Sequence, residues 1–232
     1  MALILNIDTA TEAGSVCLAR DGVSLGSRIN LHQKDHAAVI VPFIQEIFKA
    51  CNIDGSQIEA VAISGGPGSY TGLRVAASTA KGLCYAWGVP LIAVNTLEVM
   101  ADGMRSTRPY GLPAPGYFCP VIDARRMDVF TALYDADLQL IVQPTPMTVD
   151  ENFLAQYQQQ PVCIFGTGMG KIEKLLSHKT NWFFQEFTCH ATYLAPLAER
   201  AFHEKQFQDL AYYEPAYLKP FYRPPAATPA KS

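Results

Sequence analysis

Short apolar runs separated by polar turns open the chain, a pattern that is typical of β-strands. The runs that we assign to strands are Leu3 to Ile7, Gly14 to Ala19 and Val23 to Leu31. Asp8-Thr9-Ala10-Thr11 follows the first run, and Asp21-Gly22, a strong hairpin signal, separates the second run from the third. The chain is therefore predicted to begin with an antiparallel meander.

The pattern changes to helical spacing after Asp35, a candidate N-cap. Apolar residues then recur at intervals of three and four to about Cys51, with Pro42 as a kink or a late helix start. Ile58 to Ile63 is predicted to be a buried strand that leads into a glycine-rich run. The first helix is thus predicted to connect two strands.

A second helix is predicted from Leu73 to Trp87, because the Gly88 that follows is typical of a helix end. The later predicted elements are strands at Leu91 to Val94, Tyr117 to Ile122, Asp128 to Tyr134 and Val162 to Phe165, and helices from Thr96, at Lys171 to Leu176 and at Tyr193 to Phe207. Each half of the chain opens with a strand that ends in an Asp-centred turn, at Asp8 and at Asp123. This repetition indicates an α/β fold with two similar subdomains.

Three prolines and two glycines between Ser106 and Gly116 place a domain boundary near this segment. We therefore divide the chain into residues 1–105, which carry the two long helices, and residues 106–219. The tail at 220–232 is rich in Pro and Ala and is expected to be disordered.

Composition indicates an ordinary folded protein, since 49% of the 232 residues are hydrophobic and 17% are charged. A formal net charge of -3 argues against a chain that binds phosphate backbones unaided. The six cysteines are far apart, which predicts buried thiols rather than a metal finger. With no signal peptide at the N-terminus and no apolar run of membrane-spanning length, we expect a cytoplasmic protein and no membrane contact.

The glycine-rich run reads Ser64-Gly65-Gly66-Pro67-Gly68-Ser69-Tyr70-Thr71-Gly72-Leu73-Arg74. Its glycines permit a sharp turn from strand to helix and expose backbone amides near a helix N-terminus, where an anion can bind. The run is neither a Walker loop nor a dinucleotide fingerprint, because the spacing and the Gly-Lys-Ser/Thr ending are missing. An anion site and a tight turn without a ligand both remain open.

The remaining motifs do not support either of two catalytic arrangements, a histidine metal site or a peptidase. His32 and His36 stand four residues apart, but they precede the predicted helix and no Glu or third His lies close in sequence, so we predict no metal site. A peptidase would need an activated nucleophile, and Ser64, Ser69 and Thr71 lie in no Gly-x-Ser-x-Gly elbow. No catalytic residue is therefore predicted in this chain.

As a literal string, the glycine-rich run resembles the signature of the TsaB (YeaZ-like) family. The resemblance extends to the opening Ile-Asp-Thr-Ala-Thr, to the turn at Asp123-Ala124-Arg125-Arg126, to the loop at Gly166 to Gly170, and to Pro215-Ala216-Tyr217-Leu218-Lys219. It implies the two-subdomain fold of actin, Hsp70 and sugar kinases (ASKHA). It also implies a part in the synthesis of threonylcarbamoyladenosine in tRNA.

In that superfamily an Asp at each of the two hairpins flanks the phosphates of ATP, and a later loop packs on the nucleoside. The positions that match are Asp8, Thr9, Asp123, Gly166, Gly168 and Gly170. A pair of carboxylates suits Mg²⁺, yet the second turn continues with Ala and two Arg where active ATPases tend to need glycine. We therefore expect no tightly bound cofactor in this chain, and the level at which ATP and Mg²⁺ could bind is that of a complex.

The two long helices carry more apolar surface than a single core-facing stripe needs. The candidate interface residues are Val39, Ile40, Phe43, Ile47, Leu73, Ala76, Ala77, Ala80, Leu83, Cys84 and Trp87. Burial in the core of the same chain would explain them equally well. The resemblance implies that these helices pack against the matching pair of TsaD, and that the same surface forms a homodimer when TsaD is absent.

The resemblance thus implies a scaffold that activates TsaD for threonylcarbamoyl transfer to adenosine 37 of tRNAs reading ANN codons. TsaE is the expected third component, and the metal is expected in TsaD. Candidate tRNA contacts are Arg125, Arg126, Lys219 and Arg223. The alternatives are an ATP-dependent small-molecule kinase or ATPase of the same fold and, with less support, a glycoprotein peptidase.

Overall fold

Two five-stranded mixed sheets form the framework of the chain, whose computed structural model describes residues 2–32, 35–107 and 116–219. The first sheet has the order β3-β2-β1-β4-β5 and contains β1 (Leu3–Asp8), β2 (Gly14–Arg20), β3 (Val23–Asn30), β4 (Ala60–Ser64) and β5 (Leu91–Val94). The second has the order β10-β9-β6-β7-β8 and contains β6 (Tyr117–Asp123), β7 (Asp128–Asp135), β8 (Leu140–Thr148), β9 (Val162–Phe165) and β10 (Trp182–Gln185).

The two sheets share one topology. In each, the first three strands form an antiparallel meander and the last two are added in parallel on the other side of the first strand. The predicted meander and the predicted α/β class with two similar subdomains are confirmed. The sequence pattern does not predict β8, an edge strand that contains Pro144 and Pro146, or β10, the other edge strand of this sheet.

Five α-helices connect and cover the sheets in the described residues: α1 (His36–Cys51), α2 (Tyr70–Trp87), α3 (Thr96–Thr107), α4 (Met169–Leu176) and α5 (Ala191–His203). The helix α2 begins before the predicted Leu73, because the Ser69 hydroxyl accepts a hydrogen bond from the Gly72 N–H (3.3 Å) and caps the helix. The helix α5 ends before the predicted Phe207, since Lys205 adopts a left-handed φ of 55°. None of the helices in the described ranges is long and apolar enough to cross a membrane.

The helices and sheets stack in layers. The pair α1 and α2 covers one face of the first sheet, where Ile40, Ile47 and Ala80 meet Leu5 and Ile63 in one buried cluster. The pair α3 and α5 lies between the two sheets and joins both in a second cluster. The helix α4 covers the outer face of the second sheet.

The helix α5 crosses the domain division that the sequence suggested. It follows the second sheet in the chain but packs on the first, where Ala191 and Ala195 meet Cys17 and Ala19. The predicted division between residues 105 and 106 falls in the last turn of α3, which contacts β6 of the second sheet. The two halves therefore share their central helices, and the predicted tail at 220–232 lies outside the described residues.

Candidate functional site

The glycine-rich turn packs tightly on the loop between β1 and β2. A side chain at Gly68 would collide with the Ala10 carbonyl, and one at Gly72 would collide with the Thr9 carbonyl. The Ser69 N–H donates to the Ala10 carbonyl (2.7 Å), and the Thr9 hydroxyl donates to the Gly72 carbonyl (2.6 Å). These glycines are therefore required for close approach of backbone to backbone.

Other amides of the turn also bind within the chain. The Gly65 N–H donates to the Val94 carbonyl (2.7 Å), and the Gly66 N–H donates to the Thr96 hydroxyl (3.1 Å). Gly66 has a φ of 108°, which a residue with a side chain rarely adopts. Of the two interpretations left open by the sequence, this geometry favours the structural turn over an anion site.

A cleft of about 790 Å³ lies between the glycine-rich turn and the second sheet. The first subdomain lines it with Glu12, Ser69 and Tyr70, and the second lines it with the turn at 123–125 and with Thr167. Residues 216–219 form a further wall. The cleft occupies the place where the sequence predicted nucleotide binding.

Asp8, the first of the two predicted phosphate-flanking carboxylates, does not line this cleft. It is 0% exposed, and its Oδ1 accepts a hydrogen bond from the Ala10 N–H (2.9 Å). Its Oδ2 accepts from the Cys189 thiol (3.1 Å). Burial raises the pKa of Asp8, and burial together with the neighbouring carboxylate raises the pKa of Cys189. Thr9 is likewise 0% exposed.

Asp123, the second predicted carboxylate, is exposed at the cleft but already paired. Its Oδ1 accepts from the Lys171 ammonium (2.8 Å) and from the Arg125 N–H (2.6 Å). With Asp8 buried and Asp123 neutralised by a lysine, the two carboxylates do not face a common space for Mg²⁺. Within the described ranges, no three His, Cys, Asp or Glu side chains are grouped closely enough to hold a metal.

The predicted nucleoside loop packs mainly on its own sheet. A side chain at Gly166 would lie 2.5 Å from the Val121 carbonyl, and one at Gly168 would lie 2.7 Å from Val129. Only Thr167 of this loop lines the cleft, and its hydroxyl accepts a hydrogen bond from the Asp123 N–H (3.0 Å). Gly170 has open space around it.

The candidate tRNA contacts lie in different environments. Arg125 and Arg126 are exposed on the turn after β6, and both have left-handed φ angles, of 67° and 49°. Lys219 instead donates to Asp128 (2.6 Å), and this contact lowers the pKa of Asp128. Arg223 lies outside the described residues.

The two histidines of the His-x-x-x-His pattern lie in different surroundings. His36 is buried, and its Nε2 lies 3.1 Å from the Glu12 carbonyl, while His32 is exposed. Ser64 is fully buried, and Ser69 caps α2. Among the described contacts, neither Ser64 nor Ser69 has a hydrogen-bonded histidine of the kind that activates a serine nucleophile.

The helix pair places most of the candidate interface residues inside the protein. Seven of the eleven are buried against the first sheet: Ile40, Ile47, Leu73, Ala76, Ala77, Ala80 and Cys84. Val39, Phe43, Leu83 and Trp87 are partly exposed. The small-residue stripe of α2 thus faces β4 and β5 of its own chain, and the core explanation holds for these seven.

A different set of residues forms the outer surface of the helix pair. Tyr85 of α2 is 86% exposed and Val41 of α1 is 49% exposed. Ala38, Ser78 and Gly82 are also exposed, and Gly82 has open space around it. Sequence reasoning missed Tyr85; the signal available was its position about 120° around the helix from the small-residue stripe.

The chain is similar in sequence to proteins of tRNA threonylcarbamoyladenosine synthesis. The family model described as "TsaD: tRNA N6-adenosine threonylcarbamoyltransferase" matches residues 29–220. The tRNA threonylcarbamoyladenosine biosynthesis protein TsaB of Bacillus subtilis is 29% identical over 167 residues, which are 70% of each chain. TsaB of Escherichia coli is 38% identical over 134 residues, which are 58% of this chain and 55% of that protein. The match thus spans only about half of the E. coli relative.

Solved structures resemble the whole fold. A Pseudomonas aeruginosa protein described as uncharacterized, with similarity to peptidase YEAZ, superposes with a TM-score of 0.82 at 25% identity, covering 94% of this chain and 100% of that one. YeaZ from the same organism superposes with a TM-score of 0.77 at 24% identity and the same coverage. The relatedness inferred from the glycine-rich run therefore extends to the tertiary structure.

Proposed function

This chain belongs to the family of tRNA N6-adenosine threonylcarbamoyltransferase (TsaD) and is a TsaB/YeaZ-like protein with the ASKHA fold, and we propose that it is a non-catalytic subunit that binds and activates TsaD. The complex would transfer threonylcarbamoyl to adenosine 37 of tRNAs that read ANN codons, with TsaE as a third component. The protein would act in the cytoplasm.

The observation that carries the proposal is the contrast between the family fold and the chemistry of its cleft. Asp8 is buried and bound within the chain, and Asp123 is paired with Lys171. The helix after the glycine-rich run, α2, contains no histidine that could bind a metal. A chain that keeps the fold but has neither two accessible carboxylates at the cleft nor a histidine in α2 is suited to supporting a catalytic partner.

The partner surface that we propose is the outer face of α1 and α2. Tyr85 and Val41 are large apolar side chains exposed to 86% and 49%, and Ser78 and Gly82 beside Tyr85 let another helix approach closely. Buried aromatic anchors carry much of the energy of protein interfaces. This surface replaces the buried stripe at Ala76 and Ala80 as the contact.

The test is binding of purified TsaD by variants of the two faces of α2. Tyr85→Arg is expected to raise the Kd for TsaD by at least about 30-fold and to leave the melting temperature unchanged. Ala80→Arg should instead unfold the chain, because Ala80 is 0% exposed. Leu175→Arg on α4, where Leu175 is 37% exposed, is the matched surface control and should bind normally.

Reconstitution of tRNA modification tests the role itself. TsaD, TsaE and the adenylate-forming enzyme of the same organism are expected to modify tRNA only when this chain is added, and Tyr85→Arg should lose that stimulation. Full modification without the chain would contradict the proposal. Full stimulation by a variant that no longer binds TsaD would also contradict it.

An ATP-dependent kinase or ATPase is the second candidate, because the cleft of about 790 Å³ is large enough for a nucleotide. We propose that the chain alone binds no nucleotide tightly, since the Asp123 carboxylate is already paired with the Lys171 ammonium. Calorimetric titration with Mg-ATP separates the two. Tight binding and turnover by the isolated chain, both lost in Asp123→Asn, would favour the enzyme.

A direct tRNA contact by this chain would use Arg125 and Arg126, which are exposed beside the cleft. We propose a minor contribution, because the chain as a whole carries a net charge of -3. Homodimerisation in the absence of TsaD, on the same helical face, belongs to the same proposal.

A further inference from the structure

The segment after α5 forms a strap, residues 208–219, that returns over the first subdomain. It starts beside β5, where the Gln208 N–H donates to the Leu91 carbonyl (2.9 Å). It then crosses the glycine-rich turn, where the Ala216 N–H donates to the Gly65 carbonyl (2.8 Å). Hydrogen bonds to β5 and to the glycine-rich turn therefore tether the strap at these two points.

The strap runs antiparallel to α2, on one side of that helix. Near its start, the Ala211 carbonyl accepts a hydrogen bond from the Lys81 ammonium (3.4 Å). Near its end, the ring of Tyr217 packs on the ring of Tyr70, with 4.8 Å between centroids. Tyr85 lies one turn beyond Lys81 on the same side of α2, so the strap begins on the side of α2 that carries Tyr85.

Two adjacent tyrosines of the strap have opposite environments. Tyr213 is largely buried, which raises its pKa to about 12, and its hydroxyl is close to where a side chain on Gly65 would lie. Tyr212 is 85% exposed. The backbone beneath Tyr212 is held in place, because the Asp209 carboxylate accepts from the N–H groups of Ala211 (2.9 Å) and Tyr212 (3.1 Å).

We infer that Tyr212 is a second anchor of the surface that binds the partner subunit, continuous with Tyr85 of α2. The inference rests on the proposed function. Tyr212 and Tyr85 are exposed to 85% and 86%, more than any other large apolar or aromatic side chain of the described residues. Both tyrosines are attached to backbone that is already ordered, so their burial by a partner costs little conformational entropy of the backbone.

The charge of this side of α2 indicates the chemistry of the partner. The helix carries Arg74 and Lys81 and contains no Asp or Glu. The positive charge of these two side chains would be matched by acidic residues at the rim of the partner surface, around an apolar centre. The inferred partner surface is therefore a helix or loop of TsaD with apolar residues over the two tyrosines and carboxylates near Arg74.

The experiment compares three single variants of the strap in the full chain. Tyr212→Ala is expected to raise the Kd for TsaD at least about tenfold, and Tyr212→Phe, which keeps the ring, should bind nearly as the parent does. Glu214→Ala, an exposed change two residues further along the strap, is the control and should bind normally. The melting temperature of all three should stay within about 1 °C of the parent, since none of these side chains is buried.

The outcomes separate this inference from the proposed function. No binding of TsaD by the parent chain would overturn both. Tight binding by the parent and equally tight binding by Tyr212→Ala would overturn the inference alone. Loss of self-association in Tyr212→Ala, measured by sedimentation, with unchanged binding of TsaD would overturn it as well, because the occupant would then be a second copy of this chain.

Discussion

Asp8 closes β1 and Asp123 closes β6, so the two residues hold the same place in two sheets of one topology. Asp8 is 0% exposed and holds the Cys189 thiol, whereas Asp123 is exposed and holds the Lys171 ammonium. The backbone at both positions is the end of a strand followed by a turn. What differs is the element that lies above each turn.

The helix α5 accounts for the difference. Cys189 and His190 lead into α5, and the Ala191 N–H donates to the Ser15 hydroxyl (2.8 Å) of β2, which brings this segment down over Asp8. The equivalent face of the second sheet leaves Asp123 beside the open cleft. Repetition of a fold therefore reproduces the position of a carboxylate but not its chemistry, which depends on burial and on the neighbouring donor.

The largest expected effect is on stability at the first of the two turns. Asp8→Ala leaves the Cys189 thiol and the Ala10 N–H without their acceptor in a buried site, and we expect a loss of about 2–4 kcal/mol in the free energy of unfolding. Asp123→Ala, the matched change in the second sheet, should cost less than about 1 kcal/mol. Urea denaturation of both variants is the measurement, and equal losses would contradict the comparison.

A smaller effect is expected in the pH dependence of stability. Because burial raises the pKa of Asp8, the folded chain binds this proton more tightly than the unfolded chain does. The stabilisation is fully present below the unfolded pKa of about 3.8 and is lost as the pH rises through the folded pKa. Asp8→Asn cannot ionise, so its unfolding free energy relative to the parent should improve between pH 4 and pH 8. A constant difference across that range would show that Asp8 does not titrate as inferred.

The smallest effect is expected at the ion pair of the second turn. Lys171→Met removes the charge opposite Asp123, whose side chain is 45% exposed, and should change the free energy of unfolding by less than about 1 kcal/mol. The change should shrink further in high salt, because exposed pairs are screened. Thermal melts at low and high salt check this, with Lys174→Met on the exposed side of α4 as the control.

The sequence predicted most of the first half of the fold and less of the second. The meander and the helices α1 and α2 have strong periodic signals, whereas β8 contains two prolines and the pattern marks neither β8 nor β10 as a strand. Both Asp-centred turns were located correctly in the chain. Their unlike burial was not predicted, because it depends on Cys189, about 180 residues from Asp8 along the chain.

The interface residues illustrate the same limit on a single helix. A stripe such as Ala76, Ala80 and Cys84 lets another element approach closely, but spacing alone does not say whether that element is a partner helix or a sheet of the same chain. The structure puts β4 and β5 against this stripe and leaves Tyr85 outside. The proposed contact consequently moves to the other side of α2.

By itself the sequence determined the family signature, the α/β class and the repeated strand with its Asp-centred turn, because these depend on local turn chemistry and on periodicity. Only the tertiary structure decided that Asp8 is buried, that Asp123 is paired with Lys171, and that Tyr85 and Tyr212 are exposed to solvent. Each of these depends on segments far apart in the chain. Burial, pairing and exposure arise from which segments pack together, and that is a property of the whole fold.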